Sequence, residues 1–308
     1  MTPLVMSPLA DPVIAAIFSS VEASGEAAES LIRAVLEQDE NSLKGNIISV
    51  IPQRVYSIPG VRGTRIDVHI HTDQGEYVIV EVQINPDRYI AYRNFFSAAH
   101  IAIETSRIGD KVPDMAGRIP RIICINILAY NARTTNTDLL QPYKIKYTKA
   151  PDQVVMPEFT GYDIQLPSVE HLPHDFDNAL YAWCYILYTA HKQQKTLEEV
   201  IAMTPQAQQF AKTNSGYTQF CQRYKLAAGD TETRREYVAW MGELMRHEGE
   251  LKYAEEVGIN KGVVKGRQLE AIDTAKKALL EGFSVEQVFK IIDLPISTIE
   301  SLRESLGL

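Results

Sequence analysis

From Arg65 to Ile84 apolar residues alternate along two short runs, and an acid interrupts each run. Side chains alternate across a strand. Ile66, Val68 and Ile70 therefore share one face of a first strand, with Asp67, His69 and His71 on the other. In a second strand Val78, Val80, Val82 and Ile84 share a face, with Ile79, Glu81 and Gln83 opposite. If both apolar faces join one core, Asp67, Glu81 and Gln83 must emerge together. A two-residue turn at Gln74 and Gly75 would put the acids on opposite faces. The pattern thus predicts a three- or five-residue loop around Asp73 to Glu76, with Gly75 at positive φ. The register then pairs Asp67 with Glu81 or with Gln83. Either brings the three side chains within reach of one ion.

Facing carboxylates repel, which costs stability unless a cation intervenes. Mg²⁺ takes oxygen ligands, keeps several waters and often uses only one or two carboxylates. Such an ion polarises a phosphoryl oxygen and activates an attacking water. The hairpin alone leaves two readings open: a solvated strand face, or a magnesium site.

Around the hairpin, DPVIAAIF and Ser24 to Leu36 have helical spacing, while Pro52 and the SIPG of Ser57 to Gly60 punctuate the chain. Strands are expected at Val61 to Thr72 and Tyr77 to Ile84. A helix from Pro86 to Glu104 would bury Ile90, Phe95, Ala98, Ile101 and Ala102. After a loop with Gly109, Pro113 and Gly117, Ile122 to Leu128 reads as a strand buried on both faces. The polar stretch NARTTNTD follows, then weaker strands at Tyr143 to Tyr147 and Gly161 to Leu166. From about Asp175 the pattern is helical. Gly258, Gly262 and Gly266 read as a weakened helix or flexible connector. The last stretch has the shape of a helix-turn-helix, with capping boxes at Ser284/Gln287 and Ser297/Glu300. Helix, hairpin, helix, buried strand and further strands give an α/β or α+β class.

An Asp in one strand, a hairpin to E-x-Q in the next and a helix after it resemble the PD-(D/E)XK nuclease superfamily. More narrowly, the chain resembles the recombination-promoting nuclease family, whose members are also labelled transposases. RIDVHIHTDQGEYVIVEVQ is similar to that family's core hairpin, RYIAYRNFFSAA to its Arg- and aromatic-containing helix, and RIPRIICINILAYN to its next strand. DPVIAAIF and SLIRAVL resemble its N-terminal helical segments. The stretch from KGVVKGR to ISTIESL resembles its linker and terminal module.

The resemblance implies an α/β fold: a restriction-endonuclease-like core, with a central mixed sheet flanked by helices, and an all-helical C-terminal extension. The expected division is a nuclease core over 1–175, a helical extension over 176–257 and a connector with a terminal module over 258–308. The implied activity is metal-dependent hydrolysis of DNA phosphodiesters by an endonuclease serving recombination or mobile elements. Asp67 and Glu81 would bind Mg²⁺, or alternatively Mn²⁺, with Val82 supplying a backbone carbonyl. Gln83 stands where most of the superfamily has Lys. A lysine stabilises developing phosphoryl charge; a neutral amide only hydrogen-bonds. Arg65 and Arg93 are candidate cations. Asp11 is a candidate accessory acid and metal ligand, with Glu29 its rival. The alternative function is a degenerate nuclease fold kept as a DNA-binding or oligomeric scaffold.

The HIHTD of His69 to Asp73 resembles the start of a zinc hydrolase motif, but Gln74 and Gly75 stand where a further His should follow. His100 and His191 fit helix interiors, and His171 and His174 a loop. YAWCYILY reads as core. The net charge of −8, from 31 basic against 39 acidic residues, argues against a basic coat but allows a local groove. Lys261, Lys265 and Arg267, with Lys276 and Lys277, are the candidate DNA-backbone contacts of the terminal module. ISTIESLRESL, with one Arg and two Glu, suits packing or dimerisation as well as groove reading. Three scattered cysteines and the lack of a convincing signal or membrane segment place the expected protein in the cytoplasm, with no membrane. The resemblance implies DNA as partner, and a second copy of the chain is expected as well.

Overall fold

The computed structural model describes residues 4–56, 64–105, 111, 113, 118–132 and 138–308. SIPG, Val61 to Gly63, Gly109, Gly117 and residues 133–137 of the polar stretch lie outside the described residues. Its first strands are β1 (Ile47–Tyr56), β2 (Thr64–Thr72), β3 (Tyr77–Gln83) and β4 (Ile122–Leu128). They are followed by β5 (Leu140–Lys144), β6 (Lys146–Tyr147), β7 (Ala150–Val154) and β8 (Phe159–Gln165). Six form one mixed sheet in the order β1-β2-β3-β4-β8-β5, and β6 and β7 pair separately.

Antiparallel pairing joins β1, β2 and β3; β3, β4 and β8 run parallel; β5 returns antiparallel to β8. A parallel neighbour needs a crossover. Helix α3 (Ile90–Glu104) lies between β3 and β4 in the chain, packing Ala98 and Ile101 over Ile79, Ile122 and Cys124. Two N-terminal helices, α1 (Asp11–Ile17) and α2 (Val21–Leu36), pack against β1 and β2.

The hairpin has the expected odd loop. Pairs run from His71↔Tyr77 to Val68↔Val80, the register that sets Asp67 against Glu81. Thr72 and Glu76 close the turn through a backbone bond of 3.0 Å, so Asp73, Gln74 and Gly75 form the loop. Gly75 has φ +79°, which a side chain would strain.

Three local expectations are corrected. Pro52 does not end a segment: it sits inside β1, where an edge strand tolerates its missing N–H. α3 begins at Ile90, not Pro86, because Asp87 first turns the chain by accepting the Tyr89 N–H at 2.7 Å. Its buried side carries Asn94 and Ser97, while Phe95 is exposed. Of the two readings of Gly258, Gly262 and Gly266, the structure has the helical one: all three lie within one uninterrupted helix.

The helical region comprises α4 (Ala179–Gln193), α5 (Leu197–Ile201), α6 (Pro205–Thr213), α7 (Ser215–Gly229), α8 (Thr231–Leu280), α9 (Val285–Ile291) and α10 (Ile296–Ser305). Ser284 and Gln287 make their capping box, but Ser297 does not cap α10. Pro295 takes that place, and its carbonyl accepts the N–H groups of Thr298 and Ile299.

The chain divides into two compact units, Met1–Trp240 and Met241–Leu308. In the first, α7 lies so close to α2 that a Cβ on Gly216 would collide with the Glu26 backbone. Trp183 fills the space beside them, stacking edge-on against Tyr217 and donating to Ser30. YAWCYILY is therefore core, with Tyr181, Trp183, Cys184 and Tyr188 buried. The second unit packs Ala275, Leu279, Val285, Val288, Leu294 and Ile299 together. Among the described residues no helix is long and apolar enough to cross a membrane.

Candidate active site

The regular ladder between β2 and β3 stops at Val68↔Val80, one residue short of the first acid. Beyond it Asp67 Oδ2 accepts the Val82 backbone N–H at 2.8 Å, taking the role of a strand carbonyl. On the other side of β2, Gln53 lies opposite Asp67 with φ +49°, a costly conformation for a residue with a side chain. Ile66 packs with Ile79, Ala98 and Ile101, although simple alternation assigned it to the other face. The acids thus meet where the strands part, rather than as an ordinary cross-strand pair.

Both acids are buried, Asp67 at 6% and Glu81 at 1% exposure. Desolvation raises the pKa of each; the charge of Asp11 raises both further, and that of Asp67 raises Glu81. The opposing influences are the Val82 N–H on Asp67 and the Arg93 guanidinium on Glu81. Arg93 donates from Nη2 to Glu81 Oε2 at 2.8 Å and also reaches Asp87 at 3.6 Å. Arg65 is half exposed and pairs with Asp11 at 3.4 Å. Of the two N-terminal acids, Asp11 therefore joins the electrostatics of the site. Glu29 pairs instead with Arg33 at 2.6 Å on its own helix.

Gln83 is half buried at the end of β3, where its carbonyl accepts the Ala129 N–H at 2.9 Å. Two residues before it, Glu81 begins a polar row that the sequence reading missed. Glu81 pairs with Asn126, Asn126 with Asp163, and Asp163 with Gln141 across β3, β4, β8 and β5. Directly paired residues share a face. Asn126 donates to Asp163 at 2.7 Å, and Asn94 from α3 donates to Asn126 at 3.0 Å and to the Tyr143 hydroxyl at 2.7 Å. One signal was available: Asn126 is the single polar residue in IICINIL.

The histidines pack around Tyr77. His71 stacks on its ring at 4.3 Å, and burial pushes His69 down to about 4. Asp73 accepts from the Asn46 backbone at 2.9 Å and holds the hairpin loop to the start of β1. Lys261, Lys265 and Arg267 are exposed on α8, within the second unit.

Among the described residues no three His, Cys, Asp or Glu side chains form a ready-made cage. The donors of Asp67 and Glu81 are nevertheless all oxygen, and their charges are incompletely balanced. A hard divalent ion that keeps part of its water shell fits that set. Residues 8–241 match the family described as PD-(D/E)XK nuclease family transposase. No curated protein and no solved structure matches the chain.

Proposed function

The chain belongs to the PD-(D/E)XK nuclease family transposases, and from that premise we propose that it is a Mg²⁺-dependent DNA endonuclease serving recombination or a mobile element. Mn²⁺ is the alternative ion. The observation that carries the reading is the buried, electrostatically coupled pair Asp67 and Glu81 at the end of the β2–β3 ladder.

Asp67, Glu81 and the Val82 carbonyl would hold the ion, with Asp11 as accessory acid. When bound, it supplies Lewis-acid charge to a phosphoryl oxygen. The chain prepares the two carboxylates beforehand: the Val82 N–H fixes Asp67 Oδ2, and Arg93 fixes Glu81 Oε2. Gln83 orients the attacking water through its amide. It brings no positive charge, so Arg93 and Arg65 provide the cationic surroundings that most of the superfamily draws partly from lysine. Lys261, Lys265 and Arg267 would contact the DNA backbone, and the protein would act as a homodimer.

The test is nicking of supercoiled plasmid with and without Mg²⁺. Asp67→Ala should abolish divalent-dependent nicking while the far-ultraviolet circular dichroism stays that of the parent. A folded Asp67→Ala protein that nicks at the parental rate overturns the assignment. The competing reading is a degenerate fold acting as a DNA-binding or oligomeric scaffold. It is favoured by Gln83 and by the commitment of Arg93 to Glu81, and it predicts DNA binding without divalent-dependent cutting.

A further inference from the structure

The side of α3 turned away from the sheet carries a run of rings. Tyr92, Phe95 and Phe96, with Tyr89 at the helix cap, are each more than half exposed. Tyr89, Tyr92 and Phe96 are three and four residues apart, so they follow one line along the helix. Such positions recur about every 5 Å along its axis. Arg88 lies over the Tyr89 ring, 4.8 Å from its centroid. Arg93, bound to Glu81, follows Tyr92 directly in the chain. Beside the start of the helix is a groove of about 390 Å³ lined by residues including Arg88, Ala91, Tyr130 and Asp163.

We propose that this face stacks the unpaired bases of a single-stranded DNA segment and leads that strand to Asp67 and Glu81. The proposal deepens the nuclease reading and rests on it. The occupant is argued from chemistry. Every base has a face that an aromatic ring can stack on, whatever the sequence. Arg88 sets a cation over the Tyr89 ring, complementing the phosphates between bases. Asp87, two residues before Tyr89, is engaged, accepting the Tyr89 N–H at 2.7 Å and pairing with Arg93 at 3.6 Å. A duplex keeps its bases stacked on one another, so an exposed row of rings selects unpaired DNA.

The test is fluorescence anisotropy with fluorescein-labelled oligothymidylate and with a duplex of equal length, in EDTA so that no cutting occurs. The parent should bind the single strand more tightly. Tyr92→Ala/Phe96→Ala should weaken single-strand binding about tenfold or more, with little change for the duplex. Tyr92→Phe should bind as the parent does. Arg88→Ala should reduce the salt dependence of binding, whereas the ring substitutions should leave it unchanged. Single-strand affinity of the double variant within about twofold of the parent overturns the proposal. So does a double variant that loses only self-association in light scattering, which would make the rings an interface between copies. The two readings fail separately. Ring-dependent binding without Mg²⁺-dependent nicking removes the nuclease and keeps the platform; nicking that ignores the rings does the reverse.

Discussion

Asp67 carries most of the weight at the residue scale. Its pKa is pushed up to about 6 by desolvation and then by Asp11, against the Val82 N–H. The folded protein therefore binds a proton more tightly than the unfolded chain. The stability linked to that proton is full below the ordinary aspartate pKa and is lost as pH rises through about 6. Metal-free Asp67→Asn should be more stable than the parent at pH 8 by roughly 1–3 kcal/mol, with the gain vanishing near pH 4. Urea denaturation in EDTA at both values checks this, and a variant less stable at pH 8 would show that the burial cost is misassigned. Gln83→Ala should lower single-turnover cutting about 10²-fold, on the scale of one lost transition-state hydrogen bond. An unchanged rate would remove Gln83 from the chemistry. The odd loop was legible from strand parity, which narrowed the register to two and left the choice to the structure. The contact of Asp67 with Val82 was not, because it depends on where a ladder stops, and sequence alternation carries no such mark.

At the scale of elements, the sheet conveys the site through Glu81, Asn126, Asp163 and Gln141. Asn126→Ala would leave the buried Asp163 without its 2.7 Å donor and Asn94 without one of its acceptors. A loss of about 2–4 kcal/mol is expected; a loss under about 0.5 kcal/mol would mean that water replaces the amide. The central strands could be read because β3 and β4 are nearly continuous apolar runs. One element misled: a proline hid β1, since the sequence does not say which strand is an edge. Three glycines left a weakened helix and a connector both open at α8, where helix continuity tolerates each at a cost of about 1 kcal/mol. The exposure of Phe95 also escaped periodicity, because Asn94 and Ser97 occupy the buried side that apolar residues usually fill.

At the scale of the whole molecule, the chain makes two units with separate cores. Ile299 is fully buried in the second, and Ile299→Ala should cost that unit about 2–4 kcal/mol. Calorimetry should show one transition lowered and the other unmoved; a common shift of a single transition would show that the units melt as one. Family membership supports a nuclease acting on DNA. In this chain the acid pair is buried, and an ion would relieve the charge crowded there. Titration of Mn²⁺ by isothermal calorimetry, with plasmid DNA present at low temperature, tests that directly. The account predicts saturable binding by the parent and its loss in Asp67→Asn, whereas equal binding by the two proteins, or none by the parent at millimolar ion, would contradict it.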